Sequence, residues 1–145
     1  VICSTLTMAG AETTMRAPAL LRVVFVAHGL ITLAGAVVLM VFPTAIPSMV
    51  GMTIARQEYL LVYLVGAAEL AVAVLSFGAT QLTDVAALRL IVTTFVVLHG
   101  VSGILDLVYM GVTEPNATII ANTVARFVVV AVFLVVWRVA RRHHT

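Results

Sequence analysis

The chain has 145 residues, 63% of them hydrophobic and only 10% charged, with a mean hydropathy of +1.20. A water-soluble domain is about 45–50% apolar and about 25% charged, so these values exclude one and point to a polytopic membrane protein. All eight basic residues are arginine, the net charge is only +2, and no basic face lies outside the chain ends, so no nucleic-acid partner is expected.

Residues Val1 to Met15 are small and polar without a packing pattern, and the structured part reads as starting at Met15-Arg16-Ala17-Pro18. Segment 1–15 is therefore expected to be disordered or interfacial, 16–142 to form one domain, and 143–145 to be a tail. Cys3 stands alone, so no disulfide forms within the chain. Four apolar spans follow, at about 20–42, 59–78, 85–110 and 119–137. Each reaches the ~20 residues that cross a ~30 Å hydrocarbon core. Backbone groups in lipid must be satisfied within their own segment, so the spans are helices and the fold class is an all-α transmembrane bundle of four helices. The first span exceeds the 7–15 apolar residues of a signal-peptide core, and reads as a true span.

Arginine placement sets the orientation. Arg16, Arg22, Arg89, Arg138, Arg141 and Arg142 share one side if both termini and the second loop are cytoplasmic, whereas the opposite side holds only Arg56 in a loop. The protein is expected in the cell membrane, the inner membrane if its source is bacterial. The first loop, with Pro43, Pro47 and Gly51, is expected to form a short bent segment along the interface. Tyr59, Tyr63, Tyr109 and Trp137 lie near span ends, as interfacial anchors do. The Asn116-Ala117-Thr118 sequon reads as coincidence. The terminal Arg141-Arg142-His143-His144 run reads as a stop-transfer cluster touching anionic lipid.

The first and third helices share a fragment. Val26-Ala27-His28-Gly29-Leu30 resembles Val97-Leu98-His99-Gly100-Val101, each before a small-residue patch at Gly35 or Gly103. As a true repeat this would make the chain two helical hairpins related by an axis along the membrane normal. The second and fourth helices show no such match.

Ionisable residues inside spans must find partners, because hydrocarbon offers none. Counting ~1.5 Å per residue puts His28 roughly 12 Å from the inner side, and Glu69 and His99 each roughly 13 Å from it. These three form a candidate midplane site. Asp106 and Arg126 lie roughly 6 and 10 Å from the outer side and, with Asn122, form a candidate structural ion pair between the third and fourth helices. The midplane group admits three readings. It is a hydrogen-bonded knot fixing helix register, a proton-handling or quinone-binding site in which a histidine donates to a quinone carbonyl, or a haem or metal site. No HxxxH or ExxH spacing supports a metal, so none is assigned. Neither quinone nor haem is required by the sequence.

The run Tyr63-Leu64-Val65-Gly66-Ala67-Ala68-Glu69-Leu70-Ala71, with the chain length and four spans, resembles the small four-helix bacterial membrane proteins called DoxX-like, over about Arg16 to Arg138. The resemblance implies a four-helix bundle and, for some members, a link to quinone-dependent sulfur oxidation. No catalytic residue carries over. Small multidrug exporters also have four helices, but their essential carboxylate is in the first, where this chain has His28.

The leading functional expectation is a structural or accessory membrane subunit with a buried polar cluster. A quinone- or lipid-linked redox component using His28, Glu69 and His99 is the first alternative, and an oligomeric proton-coupled transporter with Glu69 as carrier the second. Whether the chain has any enzymatic activity is left open. Membrane lipids are expected partners, with association as a homo-oligomer or within a larger complex left open.

Overall fold

The computed structural model describes residues 19–142; Val1–Met15, Arg16 and the tail 143–145 lie outside the described residues. Five α-helices follow in order, α1 (Ala19–Val41), α2 (Ala45–Met49), α3 (Tyr59–Ala79), α4 (Val85–Val112) and α5 (Ala117–Arg142), with a 3-10 turn at Arg56–Glu58 leading into α3, and no strand forms among the described residues. All but α2 are long and apolar enough to cross a membrane. The protein is a small all-α, multi-pass membrane bundle of four spanning helices.

Each helix end has a local cause. Pro43 follows α1 by two residues and cannot continue it. After α2, Gly51 takes φ +81°, a left-handed conformation that L side chains adopt only under strain. The Asp84 carboxylate accepts hydrogen bonds from the backbone N–H groups of Ala86 and Ala87 and so starts α4. Thr113 is extended, two residues before Pro115, which ends α4. Asn116 Oδ1 accepts from the Ile119 N–H at 3.0 Å and starts α5. The fourth span was expected at 119–137, yet α5 runs to Arg142. Arginines leave the hydrocarbon but are good helix formers, and no Gly or Pro interrupts the run.

Helix α1 packs along α3 and α4 packs along α5, giving two antiparallel hairpins. Small residues let the backbones approach. A Cβ at Gly66 would lie 2.9 Å from Met40 Cγ and 3.4 Å from the Ala36 carbonyl oxygen, and one at Gly103 would lie 3.0 Å from the Phe127 ring.

The hairpins join at the end that carries the chain termini. Leu21, Phe25, Ala79, Leu88, Ile91, Val92, Phe95, Phe133 and Val136 form one buried cluster there, drawn from all four spans. Phe25, Phe95 and Phe133 fill its centre, with ring centroids 6.2, 5.7 and 5.4 Å apart. Lipid is as apolar as this core, so close contact rather than water exclusion holds it, at about 0.5–1.5 kcal/mol per aromatic pair. Toward the loop end each hairpin keeps its own interface, through Ala36, Leu39, Val62 and Gly66 on one side and Gly103, Ile119 and Thr123 on the other. Between the two lies a cavity.

Candidate functional site

His28 on α1 and His99 on α4 meet just above the phenylalanine cluster, Nε2 to Nε2 at 2.8 Å. His28 Nδ1 is 2.8 Å from Ser76 Oγ on α3, and Ser76 Oγ is 2.8 Å from the Val72 carbonyl oxygen. These contacts fix the protons. A carbonyl only accepts, so the single Ser76 hydroxyl proton points at Val72. His28 Nδ1–H therefore donates to Ser76 Oγ. A neutral His28 then offers its Nε2 lone pair, and His99 Nε2–H donates to it. A cationic His28 would place an unpaired charge in hydrocarbon, which the neutral arrangement avoids. The chain ends at His99 Nδ1, a lone pair that is fully buried and has no hydrogen-bond partner.

Glu69 is not part of this chain. Gly66 meets Ala36, Leu39 and Met40 while Ser76 meets His28, and this antiparallel register sets Glu69 beside the Thr32–Gly35 stretch of α1. That is about 10 Å, seven residues, further toward the loop end than His28. Counting depth from span ends assumed that both helices start in one plane, and the register shows a stagger. The residue that bonds His28 on α3 is Ser76. Its signal was its spacing of seven from Glu69, which puts both on one helical face.

At the loop end of the α4–α5 hairpin, Asp106 Oδ2 accepts from Arg126 Nε at 3.0 Å and from Asn122 Nδ2 at 2.9 Å. Thr123 Oγ1 also lies 3.4 Å away, but its proton goes to the Ile119 carbonyl at 2.9 Å. The pair is partly exposed, at 26% for Arg126 and 17% for Asp106. Arg126 is anchored by Nε alone, so its terminal nitrogens stay available.

The two groups of polar residues share one chamber. A cavity of about 320 Å³ between the hairpins is lined by Glu69, His99, Asn122 and Arg126 among apolar neighbours such as Ile31 and Val129. Glu69 makes no hydrogen bond among the described residues. A second chamber of about 390 Å³, mostly apolar but with Thr53 and Glu58 in its wall, lies beneath α2 and shares Leu39, Ile46 and Val65 with the first. A third, of about 190 Å³, continues toward the termini along α1 and α5, with His28 and His99 in its wall.

Among the described residues no three His, Cys, Asp or Glu side chains are grouped to hold a metal ion. A haem iron between the histidines does not fit either. Two metal–nitrogen bonds of about 2 Å each need a wider gap than the 2.8 Å between the nitrogens. The arrangement suits reversible hydrogen bonding to a small polar head, with His28 and Ser76 holding the His99 ring in place. No family model matches the chain, and no curated protein or solved structure is similar to it.

Proposed function

We propose that this membrane protein is a quinone- or lipid-linked component that binds an amphiphilic molecule in the cavity between its two hairpins. One observation carries the reading: His99, whose Nδ1 is buried and unpartnered, shares a cavity wall with Glu69, Asn122 and Arg126. A knot that served only to fix helix register would satisfy its own atoms, since a buried acceptor left unmade costs about 1–3 kcal/mol. The chamber's volume of about 320 Å³ falls within the ~300–1,000 Å³ usual for small-molecule sites. The mostly apolar chamber beneath α2 adjoins it through Leu39, Ile46 and Val65 and suits a hydrocarbon tail. With both termini cytoplasmic, this path opens toward the outer half of the bilayer. A place among DoxX-like proteins fits the same bundle and the same ligand class.

The phenylalanine cluster fills the bundle below the histidines, which favours binding over passage and weighs against a transporter. An accessory-subunit role has support of its own in the Asp106 bonds to Arg126 and Asn122, which tie α4 to α5 whatever occupies the cavity.

The test is mass spectrometry of the organic extract from protein purified in mild detergent. A co-purifying amphiphile is expected at near one per protein, and should be lost in Glu69→Leu/Arg126→Leu protein that remains folded. An extract matching that of an unrelated four-helix membrane protein would remove the proposal.

A further inference from the structure

The chamber's hydrogen-bonding groups define the head group that fits it. His99 Nδ1 is an acceptor, because the proton order Val72–Ser76–His28–His99 leaves it only a lone pair. The Glu69 side chain adds an acceptor oxygen to the same wall in either protonation state, and so does Asn122 Oδ1, one of whose two amide hydrogens goes to Asp106. Arg126 is the donor in the same wall: Nε holds Asp106 and the terminal nitrogens remain. The wall therefore combines acceptors with a donor, and its complement is a group that gives and takes a hydrogen bond at once. A hydroxyl does both. A quinone carbonyl or a phosphate diester only accepts and would face His99 lone pair to lone pair, whereas an ammonium only donates and would face Arg126. The expectation that a histidine donates to a carbonyl thus reverses: His99 has already donated its proton to His28.

We infer that the cavity takes an amphiphile with a neutral hydroxyl head, whose O–H donates to His99 Nδ1 and whose oxygen accepts from Arg126, its tail lying in the apolar chamber beneath α2. This rests on the binding function proposed above and narrows its ligand. Hydroquinones and lipid alcohols share this chemistry.

The experiment titrates the protein in nanodiscs with four tail-matched probes: a hydroquinone, its oxidised quinone, a long-chain alcohol and a long-chain carboxylate. The hydroquinone or the alcohol is expected to bind at least about tenfold tighter than the quinone, an acceptor-only head leaving His99 unsatisfied. Which of the two wins identifies the source. The preference should collapse to within about twofold in His99→Phe. Nitrogen-15 NMR of histidine-labelled wild-type protein, which needs no variant, should show His99 Nδ1 unprotonated without ligand and hydrogen-bonded with it. Binding of the quinone or the carboxylate as tight as that of the hydroxyl probes, or a protonated Nδ1 in the free protein, would overturn the inference while leaving the binding function standing. No binding of any probe would overturn both.

Discussion

Removing the Asp106 carboxylate tests how the α4–α5 hairpin is held. In Asp106→Ala, Asn122 loses its acceptor, at about 0.6 kcal/mol for an average hydrogen bond within a membrane. Arg126 loses the only anion bonded to it, and an uncompensated arginine near mid-helix costs about 2.5–3.5 kcal/mol on insertion scales. The pair is partly exposed, Arg126 by 26%, and its terminal nitrogens can turn toward water or a head group, so the charge penalty falls to about 1.5–2 kcal/mol. The sum is about 2–3 kcal/mol. Arg126→Leu removes the stranded charge, and the double variant Asp106→Ala/Arg126→Leu should recover at least about 1 kcal/mol relative to the sum of the single losses. Reversible unfolding in mixed micelles, read by near-ultraviolet circular dichroism, measures all four forms. Additive losses would show that the 3.0 Å contact carries no coupling and would refute the reasoning.

Three further outcomes follow from the packing. Phe133→Ala should destabilise the bundle by about 3–5 kcal/mol in the same unfolding assay, because Phe133 is 1% exposed at the centre of the buried core drawn from all four spans. Gly66→Leu should force α1 from α3 and lower the thermal midpoint in detergent, whereas Gly35→Ala, with nothing within 4 Å of the added Cβ, should leave it unchanged. Asp84→Ala should cost about 1 kcal/mol by removing two hydrogen bonds at the start of α4, with amide exchange rising at Ala86 and Ala87.

The four spans were legible because length and apolarity alone decide a membrane helix, and the starts at Tyr59 and Val85 coincide with those of α3 and α4. Less of the site could be read. Composition places His28, Glu69 and His99 in apolar runs, but only helix stagger decides which of them touch, and stagger is set by small-residue contacts such as Gly66 against Ala36. Ser76 carries little signal in the sequence because a serine within a membrane helix ordinarily bonds its own backbone; here it bonds Val72 and receives His28 as well. His99 and Arg126 were assigned to separate sites by depth, whereas the gap between hairpins puts both on one wall. The His28-Gly29 and His99-Gly100 fragments fall on the two helices whose histidines meet, a relation no count along one helix reveals.

The aromatic cluster at one end of the bundle also has a mechanical consequence. The two hairpins are fastened there and, beyond the His28–His99 bond, are separated by a cavity as far as the loop end, where Asn116 bridges to Met49. They form a pair of tongs whose arms run about 24 Å from Phe25 to Val41. A rotation of about 5° at the phenylalanine pivot moves the tips by about 2 Å, on the scale of an added methyl group. The jaw can thus fit heads of different bulk without disturbing either hairpin's own packing, and its opening is resisted by the His28–His99 bond and, at the tips, by the 3.4 Å hydrogen bond that Asn116 Nδ2 donates to the Met49 carbonyl oxygen.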